Sequence, residues 1–398
     1  MIINSICRSL IFSKLRKINS GTLIVAEEAG RWTFGNFSDD KDMALTIEVK
    51  DLRIYPMILF GGSVGVAESY MKGYWFTNNL TGVICLFLRN RNVMDPINSG
   101  MGKLKGPVNK LIHLINNNSR SGSRKNIKAH YDIGNDFFKV WLDKRMMYSS
   151  AVFDNLDISL DQASEKKLDK ICSSLKLTSS DHLLEIGTGW GGLSIYAASN
   201  YGCRVTTTTI SKKQYEYAKQ WIHRENLSDK ITLLQKDYRD LHGKFNKLVS
   251  IEMIEAIGHN YLETYLKKCN DLLKDDGEMF LQAITIADDQ YENAKKSVDF
   301  IQKYIFPGGA LFSLPKLLTS ISEVTNFDLL NRDEIGPDYA LTLKKWREKM
   351  FSKLSFIRSL GYSERFIKMW EFYFCYCEGG FIEKSIGNSQ FLFSKRSK

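Results

Sequence analysis

Beyond residue 126 the chain alternates between two patterns. Short apolar runs (HLLEIG, RVTTTTI, ITLLQKD, KLVSIEM and EMFLQAI) are separated by helix-length segments (LSIYAASNY, QYEYAKQWIHREN and TYLKKCNDLLKD). Each connection is long enough for a right-handed crossover, so the alternation predicts a doubly wound α/β domain on a mostly parallel sheet. An aromatic-rich stretch from Tyr291 to Tyr376 interrupts it and reads as a helical insertion able to cover a substrate site; QFLFSKR reads as the closing strand. Between Gly21 and Leu88, GTLIVAEE, RWTFGNF, MALTIEVKD and RIYPMILFGG read as short strands, followed by helical SVGVAESYMKG and TGVICLFLRN. That is a small α+β module. The polar segment NNNSRSGSRKN, residues 116–126, cannot pack a core and marks the boundary.

Composition narrows the classes. A chain of 398 residues with 43% hydrophobic and 25% charged residues is globular and long enough for two domains. Its apolar runs, around Ile54–Ala67 and Leu80–Leu88, are too short to span a bilayer. The net charge of +10 favours an acidic partner, nucleic acid or anionic lipid. Lys103, Lys105, Lys110, Arg120, Arg124, Lys125 and Lys128 form an acid-free basic run that also carries Leu111, Ile112, Leu114 and Ile115. The run suits a lipid surface, and equally a solvated linker. Seven cysteines without paired spacing fit neither a disulfide framework nor a zinc site, and point to a reducing cytoplasm. The start of the chain, with Arg8, Lys14, Arg16 and Lys17 among short apolar runs, lacks a cleavage site and reads as a surface-associating segment or a transit peptide.

The stretch from Leu183 to Gly192 (LLEIGTGWGG) is a buried strand running into a glycine-rich turn and then a helix. Glycines at 187, 189 and 191 allow a ligand to approach the backbone, although a tight turn with no ligand has the same pattern. No Lys-Ser/Thr follows, which excludes a P-loop. Asp237-Tyr238-Arg239 and the segment from Ser250 to Glu255 end the next strands, so polar groups converge on the carboxyl edge of the sheet, where open α/β sheets bind ligands.

Seven segments in order carry a family resemblance: HYDIGNDFF from His130, YSSA from Tyr148, EIGTGWGG from Glu185, TISKKQ from Thr209, MIEAIG from Met253, YIFPGG from Tyr304 and CEGGF from Cys377. Together they resemble the motifs of the cyclopropane-fatty-acyl-phospholipid synthase family, and GVAESYMKGYW is similar to the N-terminal lipid-binding domain of the bacterial enzymes. The resemblance implies a Rossmann-like class I methyltransferase fold with a helical substrate-covering insertion, plus a small N-terminal α+β domain. The domains expected are 1–115 (lipid-binding-like), 116–126 (linker) and 127–398 (methyltransferase). The implied reaction moves a methyl(ene) group from S-adenosylmethionine to the cis double bond of an unsaturated phospholipid acyl chain, forming a cyclopropane.

By the same resemblance the cofactor is lined by Tyr148, Ser149, Glu185, Gly187, Thr188, Gly189, Gly191, Thr209, Ile210, Gln214, Tyr238 and Arg239, with Tyr131 closing over it. Bicarbonate serves as the base, held at Ser150, Glu255, Gln282, Ile284 and Tyr339, and Cys377 matches a cysteine assigned to the active site. A buried, inert thiol is the alternative for Cys377. No metal is implied. The partner is membrane phospholipid, reached by peripheral association with the inner membrane surface from the cytoplasm; a homodimer is left open, and nucleic acid is not expected, because no Asn/Asp-Pro-Pro-Tyr/Phe element is present.

The chemistry accounts for these residue types. An alkene is a weak nucleophile, so the site must align it with the sulfonium methyl, exclude water from the cation that forms, and remove a proton. Two positions depart from the family pattern, which has Cys at Ser150 and His at Gln282. Both replacements still hydrogen-bond, but Gln282 cannot titrate. The departures keep open a second product, a methyl- or methylene-branched chain without ring closure; a membrane-associated binding protein that has kept the fold and lost catalysis is a third reading.

Overall fold

The computed structural model describes residues 2–36, 44–92, 118–119, 122–123, 126 and 133–397. Tyr131, the basic run from Lys103 to Lys128 and most of the 116–126 segment lie outside the described residues. The chain divides into two compact units. One comprises Met1–Ile112, Lys296–Ile305 and Leu354–Ser385, and the other His113–Lys295, Phe306–Lys353 and Ile386–Lys398. Two segments from the C-terminal half of the chain therefore belong to the first unit.

In the first unit a four-stranded sheet has the order β2-β1-β3-β4, with β1 at Thr22–Glu27, β2 at Gly30–Gly35, β3 at Leu45–Val49 and β4 at Trp75–Phe76. The segment RIYPMILFGG, expected as a strand, instead opens the helix Ile54–Met71. A continuous apolar run has no period to separate strand from helix, and Pro56 sits in the first turn, where its missing N–H forfeits no bond. Asn79 caps the helix Leu80–Arg89 by accepting from Gly82 N. Helix Glu364–Ile382 packs closely on it: a Cβ at Gly379 would stand 2.7 Å from Ile84 Cγ2. Tyr70 donates to Glu371 at 2.7 Å, Thr81 to Glu378 at 2.9 Å and Tyr304 to Glu68 at 2.6 Å, tying the late segments to the early ones.

The second unit holds the larger sheet, ordered β11-β12-β9-β8-β5-β6-β7, with β10 beside β9. Its strands are β5 His182–Ile186, β6 Arg204–Thr208, β7 Ile231–Leu234, β8 Phe245–Ile251, β9 Leu273–Ile286, β10 Phe312–Ser313, β11 Phe327–Glu334 and β12 Ile386–Lys395. β5 to β9 run parallel, β12 is antiparallel to β9, and β11 antiparallel to β12. Helices Gly192–Asn200, Lys212–Arg224 and Leu262–Leu272 form the expected crossovers. The strands β5 and β6 are buried almost throughout, as parallel strands covered on both faces are.

The stretch expected as a helical insertion, Tyr291 to Tyr376, also contains β10 and β11. β11 lies at the sheet edge and leaves Leu329 and Leu330 exposed, so it lacks the alternation by which a strand is recognised. From β5 the chain steps outward through β6 and β7, then returns to place β8 and β9 on the other side of β5. This reversal opens a crevice at the carboxyl ends of β5 and β8.

Candidate active site

The glycine-rich turn leaves β5 with positive φ at Gly187 (109°), Gly189 (53°) and Gly191 (99°), conformations that favour glycine. Gly187 N and Thr188 N both donate to Thr208 O, at 3.1 and 3.0 Å, which ties the turn to β6. A Cβ at Gly189 would meet nothing within 4 Å, so this backbone faces open space. A Cβ at Gly191 would instead stand 3.3 Å from Ala218 Cβ, and Gly191 does not line the pocket.

That pocket is bounded by Tyr148, Ser149, Glu185, Gly187, Thr188, Gly189, Thr209, Ile210, Gln214, Tyr238 and Arg239, together with Asp237, Glu252 and Met253. Glu185 accepts from Thr207 Oγ1 at 2.6 Å and from Ser194 Oγ, so it braces β5 against β6 and the following helix; burial raises its carboxyl to about 7. Thr209 Oγ1 donates to Gln214 Oε1 at 2.9 Å. Asp237 is buried and grips the Arg239 guanidinium at 2.7 and 2.8 Å. The buried Tyr238 hydroxyl has no partner among the described residues, leaving a donor for a ligand.

Tyr148 and Trp190 line the pocket, and a buried aromatic cluster packs behind them. Tyr148 lies 5.5 Å from Phe138, 5.3 Å from Trp141, 5.5 Å from Trp346 and 5.9 Å from Phe306 between ring centroids. Next to it, Lys167, fully buried, donates to Ser149 Oγ at 2.6 Å. Burial lowers its ammonium to about 8 despite the opposing charges of Glu252 and Asp143.

Deeper in the site, a carboxylate is held from four directions. Glu252 Oε1 accepts from Ser150 N at 3.0 Å, Gln282 Nε2 at 2.7 Å and Asn388 Nδ2 at 2.7 Å, and Oε2 accepts from the Tyr339 hydroxyl at 2.8 Å. The Ser150 hydroxyl turns away to Ala151 O. Glu252 adopts φ 48°, a left-handed conformation that costs a non-glycine residue energy and recurs at functional sites. Three residues on, Glu255 Oε1 accepts from Ile284 N at 2.6 Å, while its buried Oε2 has no partner among the described residues. Burial, then the Glu252 charge, raises the Glu255 carboxyl to about 8.

The family model for mycolic acid cyclopropane synthetase matches residues 118–391. The chain is 34% identical to the cyclopropane-fatty-acyl-phospholipid synthase of Escherichia coli over 355 residues, 88% of this chain and 87% of that one. It belongs to the cyclopropane synthase family. It is also 33% identical to the tuberculostearic acid methyltransferase of Mycobacterium tuberculosis over 327 residues, 80% of this chain and 76% of that one. Among solved structures, a mycolic acid cyclopropane synthase complexed with S-adenosylhomocysteine (SAH) superposes with TM-score 0.62 at 28% identity, covering 68% of this chain and 98% of that one.

The chain is thus an S-adenosylmethionine-dependent methyltransferase of this family with a class I methyltransferase fold. Its pocket fits the cofactor on its own features: the open backbone at Gly189 admits close approach, and Tyr238 offers an unused donor. The residues expected to hold bicarbonate do come together, but they do not fit a separate anion. The Ser150, Gln282 and Tyr339 donors converge on Glu252, and the Ile284 amide on Glu255. Cys377 lies on helix Glu364–Ile382 of the first unit. Burial, then the charge of Asp299, pushes its thiol up, which disfavours the thiolate a nucleophile requires.

Sequence reasoning singled out neither Glu252, Lys167, Asn388 nor Gln390. A signal for Glu252 existed, a second acid in SIEMIE at the end of β8. Asn388 and Gln390 had a fainter one, polar residues two apart and therefore on one face of a buried strand.

Proposed function

We propose that the enzyme methylates the cis double bond of an unsaturated phospholipid acyl chain and closes a cyclopropane ring. The observation that carries this reading is a fixed carboxylate, Glu252, lining a methyl-donor pocket that the rings of Tyr148 and Trp190 also line. Methyl addition to an alkene creates a carbon cation and then requires loss of a proton. Ring faces stabilise the first and a carboxylate serves the second. When bound, S-adenosylmethionine supplies an electrophilic methyl; the residues of the chain orient the alkene, exclude water and accept the proton.

A branched chain, methyl or methylene, is the second reading. It is supported by the identity to tuberculostearic acid methyltransferase over 80% of this chain. Expression in a host lacking such enzymes, with methyl-labelled S-adenosylmethionine and mass spectrometry of the lipids, separates ring from branch. Absence of label from acyl chains would refute both.

The reading places the enzyme peripherally on membrane. Among the described residues no helix is long and apolar enough to cross one. Helix Ile2–Leu15 buries Cys7, Ile11, Phe12 and Leu15 while exposing Ile2, Ile3, Ile6 and Leu10, with exposed Arg16 and Lys17 just beyond its end. An apolar stripe beside basic residues suits an anionic lipid surface.

A further inference from the structure

We propose that the Glu252 carboxylate is the enzyme's own base, standing where a separate anion was expected and taking the proton that methyl addition leaves on the acyl chain. The inference rests on the alkene-methylation reading above. Three of the five residues expected to hold bicarbonate donate to this one side chain, and Asn388 adds a fourth donor. A cradle built for a small planar anion is filled by a planar carboxylate on a tether of two methylenes. The tether leaves the end of β8 at a backbone angle that glycine would adopt more easily, and Glu252 N is held there by Gln282 O at 2.8 Å. Strain kept in place by five hydrogen bonds to one residue indicates that the position of the carboxylate matters more than local backbone ease.

Glu252, not Glu255, lines the pocket. Burial and the neighbouring negative charge favour the neutral form of Glu255, so the pair holds one acceptor and one neutral acid. A weak base suffices, because the delivered methyl, one carbon removed from the cation and bridging toward it as in a protonated cyclopropane, is strongly acidic.

The step balances as follows. The alkene π pair bonds to the methyl carbon, the carbon–sulfur bond breaks with its pair going to sulfur, and the positive charge moves to the neighbouring chain carbon. A Glu252 oxygen takes one proton from the delivered methyl, and the freed C–H pair forms the third ring bond. The products are a neutral thioether, the cyclopropane and protonated Glu252, which releases its proton to solvent.

The test uses the full chain, vesicles of dioleoyl phosphatidylglycerol and dioleoyl phosphatidylethanolamine, methyl-labelled S-adenosylmethionine, and buffer depleted of carbon dioxide with or without added bicarbonate. Wild-type turnover should be the same in both buffers. Glu252→Gly, which suits the backbone angle, should lose about 100-fold or more in depleted buffer, within the range for removal of a general base. Bicarbonate filling the vacated cradle should restore at least about tenfold of it, as added anion stands in for the lost carboxylate. NMR with carbon-13 bicarbonate should show binding to Glu252→Gly and none to wild type. Glu252→Gln, whose amide still fills the space, should be equally slow and not rescued. Thermal melting followed by circular dichroism checks that each variant is folded, and if the glycine variant fails this check the glutamine variant decides.

Wild-type turnover that collapses without bicarbonate and returns with it would overturn the proposal, as would full turnover in Glu252→Gln. If wild type labels no lipid at all, the alkene reading fails, whereas the bicarbonate-binding comparison still reports on Glu252.

Discussion

Gln390 on β12 donates its amide to Gln282 Oε1 on β9 at 2.9 Å, directly across the antiparallel pair, and so turns the Gln282 NH2 toward Glu252. Without Gln390 nothing in that bond pattern prevents the Gln282 amide from rotating and presenting its oxygen to a carboxylate. Gln390→Met keeps the volume and removes the donor. Loss of one buried hydrogen bond, worth about 1 kcal/mol, should lower kcat roughly fivefold. Cofactor affinity by calorimetry should be unchanged, since Gln390 does not line the pocket. An equal fall in cofactor affinity would show a general structural defect instead of a misaligned Gln282.

Gly189 and Gly192 lie three residues apart in the same turn and should fail differently. A Cβ at Gly192 would stand 2.5 Å from Arg145 O and 2.6 Å from Met147 Sδ, so Gly192→Ala should lower the melting temperature. A Cβ at Gly189 meets no protein atom within 4 Å. Gly189→Val should therefore stay folded, with strain of about 1–2 kcal/mol from its left-handed backbone, yet lose cofactor binding by roughly 100-fold or more, because a β-branched side chain fills the ligand's space. Wild-type affinity in a folded Gly189→Val protein would remove the turn from the cofactor site.

The parallel core was legible because short continuous apolar runs alternate with longer amphipathic crossovers, as HLLEIG and QYEYAKQWIHREN do. Edge strand β11 was not, since solvent on its faces removes the alternation, and neither was helix Ile54–Met71, whose first nine residues are apolar on every side. In the site, residues adjacent in sequence to a motif were found, and those brought in by register were not. Asn388 faces Ile284 and Gln390 faces Gln282 only because β12 pairs with β9 in that register. Glu252 illustrates a different failure: two acids ended one strand, and their hydrogen-bond partners, not the spacing, distinguish them.

Membrane docking through helix Ile2–Leu15 predicts a defect confined to lipid. Ile3 and Ile6 are exposed, so Ile3→Asp with Ile6→Asp leaves the buried face intact. Each isoleucine buried in lipid contributes about 1.5–3 kcal/mol, so the double variant should bind anionic vesicles at least about tenfold more weakly. Turnover on detergent-dispersed phospholipid should be unaffected. Vesicle co-sedimentation equal to wild type would assign docking to another surface.

Glu255 should make stability depend on pH in a direction opposite to that of an ordinary paired carboxylate. Burial, together with the Glu252 charge, raises its folded-state value to about 8 from an ordinary 4.5. Between those values the folded protein keeps a proton that the unfolded chain has lost. Stability from this group is fully present below about pH 4.5 and declines as pH rises toward 8, because the folded state binds more protons than the unfolded one. Glu185, raised by burial to about 7, acts in the same direction and remains in a Glu255 variant. Glu255→Gln can still accept from Ile284 N and carries no charge at any pH. Melting curves from pH 5 to pH 9 should show wild type losing stability more steeply than Glu255→Gln, with the gap in the variant's favour widening up to about pH 8 and then levelling. Parallel curves would mean that Glu255 ionises in the folded protein as it does in water, and that the asymmetry between the two carboxylates does not exist.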